Sequence, residues 1–276
     1  MVQEHEMKRF GFGENWKAFS ETIDQERLDE AKKSLQYTFR LDDFTGRVFL
    51  DIGCGSGLFS LAATQLGARV TSIDYDPDSI ACAEHLRDVH GVQEQNWSVH
   101  QGSILDDALV SEIGKADLVY SWGVVHHTGN MKKAISNVAS LVSQGGSLCL
   151  AVYNQQGGAS RRWLRIKQLY NRIPSMMKPI YVLAVASVFE CRFAIVRALK
   201  FQNPLPISEW KKKKKDRGMS AWHDWVDWVG GLPFEVASPE DVILQLRPEG
   251  FVLENLKTVG GGWGCNEYLF SLQDKV

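Results

Sequence analysis

Paired metal-ligand spacing is missing from this chain. Its five cysteines, Cys54, Cys82, Cys149, Cys191 and Cys265, are odd in number and widely spread, with neither C-x-x-C spacing nor a nearby histidine at zinc-ligand spacing. That excludes a disulfide scaffold and leaves buried reduced thiols as the expectation. No stretch offers 18 or more uncharged apolar residues, so no membrane-spanning helix is expected. The opening MVQEHEMKRF is charged and has no apolar core of a secretory signal, which makes the expected location cytoplasmic. Neither sign of charge dominates: 31 basic residues face 33 acidic ones, and 44% hydrophobic residues suffice for a sizeable core. Wholesale disorder and fibrous repeats are thereby excluded.

The near-neutral balance hides a segregation. Between Arg161 and Arg217 there are 15 Lys and Arg against three acids, Glu190, Glu209 and Asp216, which leaves the rest of the chain with a net charge of −14. At about 150 residues per domain, the length suits one large domain or one domain with an insertion.

The first 154 residues alternate between strand and helix patterns. DQERLDEAKKSLQYTFR places Leu28, Ala31, Leu35 and Phe39 at helical spacing, with acids at the front and bases at the back. Five apolar strand runs follow: VFLDIG, VTSID, WSVHQGS, ADLVYSW and GGSLCLAVYN. The helices LFSLAATQLG, PDSIACAEHLRDVHG, DDALVSEIG and NMKKAISNVASLV lie between them. Parallel strands need helical crossovers, so this order predicts a Rossmann-like α/β fold. The expected architecture is a seven-stranded, mostly parallel sheet with helices on both faces and an antiparallel final strand. Ser238 and Pro239 open a late helix, and FVLENLKTV and NEYLFSL read as two strands around GGGWG. The expected division is a covering segment over 1–45, a core over 46–154, a basic helical insertion over 155–237 between strands five and six, and a C-terminal completion over 238–276.

LDIGCGSG, residues 50–57, joins the first strand to the first helix. Gly53, Gly55 and Gly57 let the backbone turn sharply beside a ligand at the helix N-terminus. The third glycine comes one residue too early for a dinucleotide fingerprint, and no Lys-Ser or Lys-Thr pair makes a P-loop. Asp74 ends the second strand, where a carboxylate meets ribose hydroxyls in nucleoside-binding folds.

Taken in order, LDIGCGSG, IDYDP, GSILD and DLVYSWGVVHH resemble the class I S-adenosylmethionine-dependent methyltransferases. The resemblance covers about the first 155 residues and the last 40. It implies that Asp51, Gly53, Cys54 and Gly55 border the methionine half of S-adenosylmethionine, that Asp74 holds the ribose and that Tyr75 packs on the adenine. It further implies Ser103 and Ile104 at the adenine edge, and Ser121 or Trp122 along the cofactor. Many relatives have Asp in place of Ser103. FGFGENWKAFS looks like a segment that closes over the cofactor in some relatives, with Trp16 as its anchor.

In an open α/β sheet the substrate lies beyond the carboxyl ends of the strands. His126 and His127 follow strand four directly, and an imidazole there could take a proton from a hydroxyl. Adjacent residues point different ways, and His126 is the favoured one. No third ligand is apparent locally, so no metal is expected. A second cluster, SAWHDWVDWVGGLPFEV over 220–236, sets His223, Asp224 and Asp227 among tryptophans. On a helix His223 and Asp227 would share a face. His126, His223 and Asp224 are therefore the catalytic candidates, and packing by the tryptophans is the competing reading.

The stretch from Met176 to Phe189 is densely apolar, has basic flanks and precedes the lysine run Lys211 to Lys215. Such a helix suits peripheral contact with an anionic membrane through 174–217. A cap helix or homodimer contact is the alternative, and nucleic acid ranks third. The function expected is methyl transfer from S-adenosylmethionine to an oxygen of a small-molecule or lipid-linked acceptor, leaving S-adenosylhomocysteine. An RNA methyltransferase and a non-catalytic S-adenosylmethionine-binding protein stay open.

Overall fold

The computed structural model describes residues 23–201, 203, 221–260 and 263–273, with residues 221, 223 and 224 described by backbone alone. Trp16 and Lys211 to Lys215 lie outside the described residues, as do residues 1–22 of the expected 1–45 segment.

Five parallel strands, β1 (Val48–Ile52), β2 (Arg69–Asp74), β3 (Trp97–Gln101), β4 (Ala116–Trp122) and β5 (Val142–Tyr153), alternate with helices. These are α1 (Gln25–Phe39), α2 (Leu58–Gln65), α3 (Pro77–Val89), α4 (Asp107–Ile113) and α5 (Met131–Ser140). Then come α6 (Gly158–Arg172), α7 (Lys178–Leu199), α8 (Ala221–Gly230) and α9 (Pro239–Leu246), followed by β6 (Phe251–Lys257) and β7 (Cys265–Leu272). The strands form one seven-stranded sheet in the order β3-β2-β1-β4-β5-β7-β6. β7 lies between β5 and β6 and runs antiparallel to both. The expected mixed sheet, with its reversed final strand, is what the chain forms.

Boundaries moved where tertiary pairing overrode helical periodicity. The apolar LV after Ser140 reads as the end of a helix, but Ala116 pairs with Val142, and a register shift before Leu118 starts β5 three residues ahead of its first glycine.

Two apolar clusters cover the sheet. One gathers Leu50, Ile52, Ile73, Val119, Leu148 and Phe270 with the inner face of α5. The other takes Leu28, Ala31, Leu35 and Phe39 of α1 against Phe44, Phe49 and Tyr120. Asp24 caps α1 by accepting from Arg27 N at 2.9 Å, and the helix stops at Arg40, whose φ of 55° is left-handed. Phe39 meets Phe44 and Phe49 edge-on, both at 5.9 Å. This aromatic block fixes the back of β1 and so the direction in which its far end points. Ser238 and Asp241 form a reciprocal capping box at the start of α9.

Gly157–Leu232 belongs to one compact unit, and the described residues of 23–156 and 233–273 belong to another. In the first unit α6 and α8 are tied by side chains that cap the end of α8: Lys167 Nζ donates to Trp228 O, and Asn171 Nδ2 donates to Gly230 O at 2.8 Å. Trp163 stacks on Phe189 of α7 at 4.8 Å and meets Trp228 edge-on at 5.4 Å. Ser175–Leu199 is long and apolar enough to cross a membrane by length and composition, with a mean hydropathy of 1.7 in its most apolar window. The sequence criterion demanded an uncharged run, whereas helical geometry turns the interrupting charges to the sides.

Candidate functional site

β1 and β4 are neighbours, and the chain leaves them in opposite lateral directions. The loops at their carboxyl ends therefore open a crevice. The 53–57 loop lines it. Gly53 N and Cys54 N both donate to Ile73 O, at 2.7 and 3.1 Å, which folds the loop back over the end of β2. Gly53 has a φ of +75°, and a Cβ there would stand 2.3 Å from Val124 Cγ2, so only glycine fits. Gly57, at φ +79°, starts α2 without a side-chain cap.

Asp74 closes β2 and reaches across. Its Oδ2 accepts from Gly55 N and its Oδ1 from Asp76 N, both at 2.9 Å. Each oxygen keeps a further lone pair for a hydroxyl donor. Burial pushes this carboxyl above its ordinary range, and the backbone donors hold it down in part.

Asp51 lies beneath the loop, fully buried. Ser60 Oγ donates to its Oδ2 at 2.5 Å, Ser60 and Ser72 hydroxyls are 2.7 Å apart, and Trp97 Nε1 donates to Ser72 Oγ at 2.7 Å. While Asp51 is ionised the direction is set. Ser60 spends its one proton on Asp51, so Ser72 donates to Ser60 and the indole donates to Ser72. Burial raises Asp51 to about 7; the Ser60 hydrogen bond opposes that rise and the Asp74 charge adds to it. Burial, followed by the same two carboxylates, pushes the Cys54 thiol well up, so it remains protonated.

At the end of β3, Ser103 Oγ accepts from Leu105 N at 3.2 Å, and the Ile104 side chain belongs to the apolar core. Ile104 can therefore offer a ligand only its backbone. At the end of β4, Ser121 Oγ is fully buried with no hydrogen-bond partner among the described residues, while Trp122 and Tyr75 are exposed.

A short turn, Val125–His127, follows β4 and separates the two histidines. His126 is fully buried, with its ring 3.8 Å from that of Tyr153, and Tyr153 N donates to its Nδ1 at 3.4 Å. That lone pair is occupied, so the proton of the neutral ring resides on Nε2. His127 is half-buried and has the opposite tautomer. Its Nδ1 lies 2.6 Å from Pro233 O, and a carbonyl can only accept, so Nδ1 carries the proton and Nε2 is the basic nitrogen. His126, the favoured base, is thus packed away from solvent, whereas its neighbour His127 is half-buried. Phe234, 5.5 Å from Tyr153, adds an aromatic neighbour that the sequence reading missed. Glu235 holds this segment by accepting from Met131 N, at 3.0 Å through Oε2, at the start of α5.

His223 and Asp224 are on α8, in the unit Gly157–Leu232, where only their helical backbone is described. Asp227 places its charge within reach of Lys167. The turn after β6 is braced by Asn154 and Asn266. Asn154 donates to Gly260 O at 2.8 Å and accepts from Asn266 at 3.1 Å. Among the described residues no group of three His, Cys, Asp or Glu could hold a metal ion.

Comparison with known proteins agrees with this layout. A family model described as "Methyltransferase domain" matches residues 50–148. A ubiquinone biosynthesis O-methyltransferase of Xanthomonas oryzae pv. oryzae is 30% identical over 125 residues, covering 45% of this chain and 51% of its own. The chain thus spans about half the length of the curated relatives it matches. Among solved structures, an O-methyltransferase family protein from Burkholderia thailandensis superposes with a TM-score of 0.54 at 13% identity, over 94% of this chain and 59% of the other. Magnesium protoporphyrin IX methyltransferase from Synechocystis PCC 6803, with bound S-adenosylhomocysteine, gives 0.52 at 14% identity, over 90% and 84%. At such identities the likeness is one of fold.

Proposed function

We propose that this chain, whose residues 50–148 form a class I S-adenosylmethionine-dependent methyltransferase core, transfers a methyl group to an oxygen of a small or lipid-linked acceptor. One observation carries the reading: the Gly53–Gly57 loop, the Asp74 carboxylate bound to Gly55 N and the unpartnered Ser121 hydroxyl converge at the carboxyl ends of β1, β2 and β4. Those groups fit the cofactor. A carboxylate with spare lone pairs suits ribose hydroxyls, a glycine backbone admits close approach, and a buried orphan hydroxyl calls for a polar partner. The relatives are O-methyltransferases by name, which favours oxygen as the accepting atom.

When bound, the cofactor supplies an electrophilic methyl group on a positively charged sulfur. The chain's own residues position the acceptor and handle the proton. With the cofactor bound, the oxygen–carbon bond would form as the carbon–sulfur bond broke, and His127 Nε2 would take the acceptor hydroxyl proton. Holding the nucleophile about 3 Å from the methyl carbon supplies roughly 7–11 kcal/mol, whereas a general base adds about 10²- to 10⁴-fold in rate. Positioning is the larger effect.

Calorimetric titration of the chain with S-adenosylmethionine and S-adenosylhomocysteine tests the first step. Release of S-adenosylhomocysteine in the presence of hydroxylated aromatic rings, with and without an alkenyl tail, tests the second. Micromolar binding and acceptor-dependent release are expected. Failure to bind either ligand would overturn the proposal; binding without release for any acceptor would leave a cofactor-binding protein.

A further inference from the structure

Helix α7 has two faces. Tyr181, Val182, Val185 and Phe189 turn toward α6 and α8, with Val182 buried and Phe189 within 6.2 Å of Trp225. The opposite stripe faces solvent: Ile180 is 69% exposed, Leu183 60%, Ile195 60% and Leu199 75%, with Ala184, Ser187, Val188 and Cys191 between them. At helical spacing no charged residue falls on that stripe. Lys178, Glu190, Arg192 and Arg197 project to its sides, and Lys178 and Arg192 are drawn over the rings of Tyr170 and Phe189 at 4.9 and 5.9 Å. The stripe extends past both helix ends through Met176 and Phe201, and only 6% of the most apolar window is buried.

A helix that is apolar on its outer face as well as its packed one has no reason to meet water. We infer that the outer face of α7 docks on a bilayer carrying anionic headgroups, with the helix lying in the interface. Charge complementarity selects that partner: the segment from Arg161 to Arg217 carries 15 bases against three acids, in a chain whose remainder is acidic. Lys178, Arg192 and Arg197 border the stripe, so apolar side chains enter the acyl boundary while these charged groups stay level with the phosphates. The packing of Phe189 on Trp163 keeps one side of α7 in protein, which sets the helix on the membrane and not across it. The inference rests on this surface and not on the transfer reaction.

The experiment is co-sedimentation of the full chain with vesicles of phosphatidylcholine alone, or of phosphatidylcholine mixed with phosphatidylglycerol, at low and high salt. Binding to the anionic vesicles, at least about tenfold stronger than to neutral ones and weakened by salt, is expected. Leu183→Glu with Ile195→Glu should lower that binding at least about tenfold while S-adenosylmethionine affinity stays the same. Val89→Glu, at an equally exposed apolar site on α3, should bind vesicles like the unaltered chain. The inference is overturned if the unaltered chain ignores both vesicle types, if the double variant still sediments with them, or if sedimentation equilibrium shows a dimer that the double variant dissociates without any vesicle binding having occurred.

Discussion

His127 Nδ1 stands 2.6 Å from the carbonyl oxygen of Pro233, 106 residues away, and that contact decides which edge of the imidazole can accept a proton. A proline supplies a carbonyl but no N–H, so the partner is an acceptor under all conditions and the tautomer does not flip. His126, one residue earlier, is held in the reverse tautomer by Tyr153 N.

The two histidines should therefore separate in mutation. His127→Asn is expected to lower turnover about 10²- to 10⁴-fold with cofactor affinity changed less than about threefold. His126→Asn should cost about 1–3 kcal/mol of stability through lost ring packing against Tyr153. Steady-state rates, calorimetry and urea unfolding check all three quantities. Normal turnover in the His127 variant would remove it from the chemistry.

Asp74→Asn removes a charge and one acceptor from a carboxylate that already serves Gly55 N and Asp76 N. S-adenosylmethionine affinity should fall about ten- to hundredfold, as expected for lost charge-assisted hydrogen bonds. Circular dichroism should show the fold retained. Unchanged affinity in calorimetry would refute the ribose assignment.

Gly53→Ala meets Val124 Cγ2 and a left-handed backbone at once. It should destabilise the protein by about 1–3 kcal/mol and abolish measurable cofactor binding. Adding Val124→Ala relieves the collision but not the backbone strain, so thermal stability should recover only in part. Full recovery would mean that the left-handed conformation costs nothing.

Lys167 gives a pH test. Burial lowers its ammonium from 10.5 to about 7, with Asp227 opposing that fall. Below pH 7 the lysine is charged in both folded and unfolded chains, and the folded one bears the burial penalty. Between 7 and 10.5 the unfolded chain binds the extra proton, so stability rises with pH, by on the order of 4 kcal/mol across the range. In Lys167→Met that slope should vanish. Urea unfolding of both proteins at several pH values measures the difference, and parallel curves would refute it.

Much of this was legible in the sequence because the elements that build the core obey local rules. Leu28, Ala31, Leu35 and Phe39 showed the buried face of α1 by spacing alone, and the Ser238 cap marked α9. The glycine loop and Asp74 were readable because they fall at strand ends in a fixed order. What escaped depends on contacts distant along the chain. Which histidine is basic depends on Pro233, and the start of β5 depends on its pairing with Ala116. The sequence marked α7 as an apolar helix with basic flanks, but which of its faces turns outward depends on the packing of Val182 and Phe189.

Trp97 can only donate through its indole nitrogen, and it stands at the head of a hydrogen-bonded chain that ends on a carboxylate two strands away. The indole fills one of the two acceptor sites on Ser72, and ionised Asp51 takes the Ser60 proton, which leaves the Ser72 proton facing Ser60. With phenylalanine in that place Ser72 would lose a buried donor, and the chain of hydrogen bonds that ends on Asp51 would be one link shorter. An edge-strand residue with no part in the site thus joins, through two serines, the carboxylate at its floor.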